Sequence, residues 1–275
     1  MNLNTIEEIW HSTPHGPLPG AWQAGDSWLA GGTWLFSEPQ PHLHRLLDLQ
    51  GFGWEPITVT AQDLSIASTC TIAQLDAFQV PTDWPAASLI GQCCRSLLAS
   101  FKVWNTATVG GNVCMSLPAG AMISLATALE GQCHVIRANG DRDRVPVEAF
   151  VTGDHQNVLR LGDLLRSIDI PVSALRKQSA FRRMSLTHLG RSSALLIGTL
   201  DSTSGAFMLT VTASTVRPIR LPFPDVPQAI DLRTALDEQI ADSMYHDDVH
   251  GSPDYRKHLT YHFAEEIRQE LSQSA

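Results

Sequence analysis

Two pairs of consecutive glycines are the residues of this 275-residue chain best suited to chemistry. One lies in Ala30-Gly31-Gly32-Thr33, the other in Thr108-Val109-Gly110-Gly111-Asn112. Glycine reaches backbone conformations that other residues avoid, and bare successive N–H groups can converge on an anion. A diphosphate is the usual guest of such a cradle. Either pair alone also fits an ordinary turn. Other groupings read more simply. His246 and His250 are four apart, as metal-ligating histidines can be, but no HExxH glutamate accompanies them and Asp247-Asp248 with Gly251 reads as a solvated loop. His11, His15, His42 and His44 lie in proline-rich, exposed stretches. Cys93 and Cys94 are adjacent on a predicted helix, where neighbours do not face each other, and read as buried. The five cysteines include no CxxC, which argues against a disulfide framework, a zinc ribbon or iron–sulfur ligation by this chain. No Ser-His-Asp spacing is interpretable.

The elements around these residues follow from periodicity. A T-x-x-E capping box at Thr5 and Glu8, with Ile6, Ile9 and Trp10 on one face, predicts a short N-terminal helix. Strands are expected over 27–30, running into the first glycine pair, and over 45–49, 57–60 and 64–67. Helical spacing runs from Pro85 through Leu89, Cys93 and Leu97 to Phe101, just before the second pair. A buried helix is expected over 119–130, with Gly131 as its C′ residue, then a strand over 132–138 and a turn at Asn139-Gly140. Beyond Pro171 the texture changes. A β-hairpin is expected over 193–214, a loop or edge over 218–227, an amphipathic helix over 231–241 with an acidic N-cap, and a last helix capped by Ser252 with Pro253 at N1. A domain boundary is placed near 171.

Composition narrows the classes. The net charge of −9 argues against nucleic acid or an anionic membrane as main partner. Apolar residues make up 43% and charged residues 17%, which excludes a disordered chain and leaves room for a surface hidden by a partner. The longest apolar-leaning run, 117–129, contains Ser124 and Thr127 and is shorter than the ~20 residues of a membrane span. The N-terminus has two acids and no basic segment, unlike a secretory signal, so a cytoplasmic protein is expected.

The order of motifs resembles the FAD-binding medium subunit of the molybdenum hydroxylases, the family of xanthine dehydrogenase and carbon monoxide dehydrogenase. The residues that carry the resemblance are Ala30-Gly31-Gly32-Thr33-Trp34-Leu35, Ile66-Ala67-Ser68-Thr69, Asn105, Thr108-Val109-Gly110-Gly111-Asn112, Pro118, and Gly162-Asp163-Leu164-Leu165 before Ile168-Asp169-Ile170-Pro171. The tail Ser252-Pro253-Asp254-Tyr255-Arg256-Lys257-His258-Leu259 is similar to a helix of the family's C-terminal domain. The resemblance implies an α+β protein. Residues 1–171 would form an FAD-binding domain of two α/β subdomains (PCMH-type). Residues 172–275 would form a smaller α+β domain with a small antiparallel sheet and helices. It implies FAD contacts from Ala30, Gly31, Gly32, Thr33, Trp34, Thr108, Val109, Gly110, Gly111, Asn112 and Leu165, with Arg183 as a cation beside the flavin favouring its negatively charged reduced form. It also implies partners: a large molybdenum-cofactor subunit and a small subunit with 2Fe–2S clusters.

The chain departs from the family pattern at Trp104, where the family has Arg, and at Ala67, where it has Gly. It departs again at Ala121, where the family has an Asp against a ribityl hydroxyl, leaving Asn112, Ser116 and Ser124 as substitutes. Trp34 and Trp104 flank the glycine loops and are expected against the cofactor. Three functions remain open: an FAD-carrying electron-transfer subunit, a stand-alone flavoenzyme with its own base, and a scaffold subunit that has lost FAD. The first needs no acid–base residue in this chain.

Overall fold

Short extended segments near the N-terminus pair first with one another. The computed structural model describes residues 3–188 and 190–273. In it β1 (Glu8–His11), β2 (Asp26–Leu29) and β3 (Arg45–Asp48) form a parallel sheet in the order β1-β3-β2. The helix predicted at the N-terminus is therefore β1. Its register against β3, Glu8 opposite Arg45 to His11 opposite Asp48, supplies backbone partners that the local capping box could not.

A second, antiparallel sheet holds β4 (Ile57–Val59), β5 (Asp63–Ala67), β6 (Gln132–Ile136) and β7 (Arg142–Pro146). After a small ribbon, β8 (Val151–Gly153) with β9 (Gln156–Asn157), it is completed by β10 (Leu164–Pro171). The order is β4-β5-β10-β6-β7, with Asn139-Gly140 in the expected turn and Gly140 at φ +90°. One face carries the helices α1 (Ile72–Asp76), α2 (Ser88–Ser96), α3 (Phe101–Trp104), α4 (Val109–Met115) and α5 (Ala121–Ala128), whose apolar side chains share its core. Short turns α6 (Val147–Phe150) and α7 (Val172–Leu175) follow β7 and β10.

The third sheet is the antiparallel set β11 (Gln178–Met184), β12 (Ala194–Leu200), β13 (Phe207–Thr212) and β14 (Ile219–Phe223), in chain order. Every residue of β12 is buried, which explains why its sequence is apolar but for Thr199. Leu195 and Ile197 join the core around α5, while Ala194, Leu196 and Leu200 join the core beneath the C-terminal helices. Those helices are α8 (Ala229–Gln239) and α9 (Pro253–Ser272). Ser252 caps α9 through Tyr255 N–H and Pro253 is its first residue, as expected.

Three helix expectations shift. The predicted helix over 85–101 breaks at Leu97, which is extended, and Ser100 caps the separate α3 through Val103 N–H at 3.4 Å. Glu130, at φ +59°, takes the left-handed position after α5 that was expected of Gly131. Gly131 has its own reason to be bare: a Cβ there would stand 2.8 Å from Ala126 O. The N-cap of α8 is Gln228, without a side-chain bond, and the expected acid, Asp231, lies inside the first turn.

One buried charge ties the third sheet together. Arg256, 1% exposed, donates to Gly251 O (3.0 Å), Ser193 O (2.8 Å) and Ala213 O (2.6 Å), and to the Asp248 carboxylate. This is the work of the arginine in the similar C-terminal helix. All five cysteines are free, and Cys70, Cys93, Cys94 and Cys133 are buried. No helix among the described residues is long and apolar enough to cross a membrane.

Candidate cofactor site

The first glycine loop is delivered by β2, and β2 is locked at its root. Arg45 Nε and Nη2 donate to the Asp26 carboxylate at 2.8 and 2.6 Å. Hydrogen bonding from Arg45 holds that carboxyl below the usual carboxylate range, against the opposing effect of burial. Trp28 Nε1 donates to Asp163 O at 2.9 Å and fastens the strand to the loop before β10.

Beyond Leu29 the chain turns tightly. Gly32 has φ +70°, a conformation that favours glycine. Gly31 lies so close to the second loop that a Cβ would stand 1.9 Å from Thr106 O. Phe36 N–H reaches Gly32 O and Ser37 N–H reaches Trp34 O, both at 2.9 Å. The N–H groups of Gly31, Gly32, Thr33, Trp34 and Leu35 find no acceptor among the described residues. Five successive free amides are the kind of grouping that can receive an anion.

The second pair behaves differently. Thr108 caps α4, its Oγ1 accepting Gly111 N–H at 3.0 Å. Val109 N–H bonds Cys70 O (2.8 Å), Gly110 N–H bonds Ser68 O (3.0 Å) and Asn112 N–H bonds Thr108 O (2.9 Å). These amides are spent inside the protein, so the second pair does not offer the cradle anticipated for both. Its glycines serve close approach instead, since a Cβ on Gly110 would stand 2.2 Å from Ser68 Cβ. Asn112 Oδ1 accepts Met122 N–H at 3.0 Å and so ties α4 to the first turn of α5.

Between the two loops lies a cavity of ≈ 560 Å³. Ala30, Gly31, Gly32, Thr33 and Trp34 line it on one side, and Thr108, Gly111 and Asn112 on the other. Val109 and Gly110 sit behind this wall, buried in α4. Leu165 is not brought to the cavity; it is 2% exposed on β10, in the core. Arg183 also stays outside, its Nε on Ser192 Oγ (2.7 Å) and its Nη2 on Gly190 O (2.6 Å), and burial lowers its pKa.

Several contributors were not foreseen. Leu97, Leu98 and Ala99, the break after α2, form part of the wall, as do Cys114, Met115 and Arg191. The Leu97 break is held by Trp104, whose Nε1 donates to Leu97 O at 3.1 Å. Trp104 thus shapes the wall from behind, whereas Trp34 lines it directly. Ser100, a capping residue two beyond Leu98, was the available signal for the break. Ala121 is 1% exposed in the core and is not part of the wall. Its suggested substitutes are engaged: Asn112 with Met122, Ser116 with Val113 O (3.1 Å) and Ser124 with Thr212 Oγ1 (2.7 Å).

A second cavity of ≈ 300 Å³ adjoins the first, sharing Leu117 and Arg191. It is polar, lined by the Asp154–His155 pair (2.8 Å) and the His246–Asp248 pair (3.4 Å). Among the described residues no group of three or more His, Cys, Asp or Glu could hold a metal ion, and His250 takes no such part.

The family model for the FAD binding domain in molybdopterin dehydrogenase matches residues 23–173. The chain belongs to that family. Comparison with curated protein sequences gives no match. Among solved structures the chain is similar to quinoline 2-oxidoreductase from Pseudomonas putida 86, with 18% identity, TM-score 0.75 and coverage of 100% of this chain and 99% of that one. It is similar also to carbon monoxide dehydrogenase from Hydrogenophaga pseudoflava lacking the Mo-pyranopterin moiety, with 17% identity, TM-score 0.75 and 97% of each chain covered. A reconstituted CO dehydrogenase from Oligotropha carboxidovorans gives 19% identity, TM-score 0.72 and 89% of each chain. At these identities the likeness is one of fold.

The residues present fit FAD. Free amides at Gly31 to Leu35 suit a diphosphate, and Leu97, Val103 and Trp34 offer apolar surface to ring systems.

Proposed function

We propose that this chain is the FAD-carrying electron-transfer subunit of a multi-subunit molybdenum hydroxylase. It would take electrons from 2Fe–2S clusters of a small partner subunit, which a large molybdenum-cofactor subunit supplies, and pass them to an external acceptor. One observation carries this reading: the described wall of the ≈ 560 Å³ cavity offers backbone amides, apolar side chains, hydroxyls, the Asn112 amide, the Cys114 thiol and one guanidinium, but no carboxylate or imidazole. Such a wall binds and orients a flavin and presents no base for substrate chemistry. Gly31, Gly32, Thr33 and Trp34 would hold the diphosphate through their N–H groups. Thr108, Gly111 and Asn112 would form the facing wall, with Gly110 and Val109 fixing its position. When bound, the flavin supplies the capacity to accept electrons and release them to a second partner.

We also propose the division of the chain near residue 171. The second sheet ends with Pro171, the family match ends at residue 173, and the third sheet starts at Gln178. The absence of any CxxC supports placing the iron–sulfur clusters in another chain, and a cytoplasmic location accords with the free thiols. The stand-alone flavoenzyme has one observation in its favour, the adjoining polar cavity with His155 and His246, where a base would have to sit. The test is to purify the chain alone and with co-expressed partners. We expect a yellow protein in both cases, and flavin reduction by an organic substrate only when both partners are present. A colourless protein that binds no added FAD refutes the cofactor assignment, and turnover by the isolated chain refutes the subunit role.

A further inference from the structure

We propose that Arg191 neutralises the diphosphate of the bound dinucleotide, and that Arg183 is a positioning residue that holds it in place. The proposal rests on the FAD reading of the cavity. Arg191 is the only charged residue among the described lining of the larger cavity. It makes no hydrogen bond or ion pair with any described residue, although the chain carries a net charge of −9 and has carboxylates to spare. An unpaired guanidinium lining the same cavity as a row of unpaired amides is suited to an anion, and guanidinium matches phosphate geometry in particular.

The position of Arg191 selects which anion. It belongs to both cavities, of ≈ 560 and ≈ 300 Å³, and stands at the waist between them with Leu117. A flavin dinucleotide has that shape, two ring-bearing halves joined through a diphosphate. The glycine loop reaches the same waist, because Trp34 from its far end packs at 5.5 Å against His155 of the smaller cavity. The diphosphate therefore falls where amides and guanidinium meet.

Arg183 brackets this residue. It bonds the carbonyl of Gly190 on one side and the hydroxyl of Ser192 on the other, at 2.6 and 2.7 Å. One bond holds the backbone just before Arg191 and the other holds the side chain of the residue just after it, and neither touches the Arg191 side chain. Arg183 thus acts at the site through its neighbour.

The test uses the full chain. FAD dissociation constants are measured by fluorescence titration for the wild type, Arg191→Gln, Arg191→Lys, Arg183→Gln and the double Gln variant, at low and high salt, together with flavin midpoint potentials. Arg191 is exposed, so its replacement leaves the fold intact, and thermal melts check this. Arg191→Gln should weaken FAD binding by about ten- to a hundredfold at low salt, with much less effect at high salt. The Lys variant should recover part of the loss. Arg183→Gln should give a smaller loss, and the double variant should be no weaker than Arg191→Gln alone, which a merely structural role for Arg183 would not produce. The midpoint potential should stay unchanged, because a diphosphate keeps its charge in both redox states. Unchanged FAD affinity in Arg191→Gln overturns the proposal. So does a shifted potential at unchanged affinity, which would set the guanidinium against the ring system. A wild-type chain that binds no FAD refutes the cavity assignment itself.

Discussion

Replacing Gly31 by Ala tests whether the two glycine loops must touch for the site to exist. An added Cβ would lie 1.9 Å from Thr106 O, 2.8 Å from Thr106 C and 3.2 Å from Ala107 Cα. All three atoms are backbone, so no rotamer change relieves the contact. Ordinary separation is about 3.5 Å, so the loops would have to part by about 1.6 Å. Overpacking of this kind costs about 1–3 kcal/mol, and a backbone neighbour puts this case at the upper end. For a chain of this size that lowers Tm by about 2–4 °C per kcal/mol, hence by about 6–12 °C. The same parting moves the free amides relative to the facing wall, and loss of one charge-assisted hydrogen bond weakens FAD by about ten- to a hundredfold. Gly20→Ala is the control, since a Cβ there meets nothing within 4 Å. Melts without FAD and titrations with it give both numbers. A Gly31→Ala protein with wild-type Tm and wild-type FAD affinity would show that the loops are not held by this contact.

Three further outcomes follow from the geometry. Arg256→Met should lower stability by about 3 kcal/mol, because three carbonyls lose their donor and Asp248 loses its guanidinium partner; urea melts measure it. Asp26→Asn should cost about 2 kcal/mol at pH 7. Since Arg45 holds the Asp26 carboxyl below its unfolded value of ~3.9, that contribution is present above the unfolded value and disappears as pH falls through the lower folded one, so wild-type and variant melts should converge as the pH is taken down through that range. Ala121→Asp should destabilise the protein without raising FAD affinity, because the new carboxylate enters a core position 1% exposed; a tighter FAD complex would place residue 121 at the cofactor instead.

What could be read ahead of the structure was local in its physics. The cap at Ser252, the Asn139-Gly140 turn and the hairpin of β12 and β13 are each specified within a few residues, and each stands where expected. The first glycine loop was legible for the same reason at Gly32, whose positive φ favours glycine, whereas the need for glycine at Gly31 comes from the distant Thr106. The N-terminal helix failed because β3, some 37 residues away, supplies the partner that makes residues 8–11 a strand. Spent and free amides could not be told apart beforehand: whether Gly110 N–H is available depends on Ser68 O, which the fold brings in from another element. Arg191 was hidden for a related reason. Arg183 lay closer to the family pattern, and only three-dimensional packing reveals that one arginine is tied down and the other open.

The middle sheet has an order of assembly written into its connectivity. β10 is the last of its strands to leave the ribosome, yet it is the central one, with β5 on one edge and β6 on the other. Until residue 171 emerges, β5 and β6 have no common partner, and the nascent chain carries two separate hairpins with apolar faces in search of cover. Non-local pairing of this kind is slow and exposes sticky intermediates. Truncation before Leu164 should leave an aggregation-prone fragment rather than a smaller flavin-binding unit, and the emergence of residues 164–171 from the ribosome should be the point at which nascent chains first resist protease.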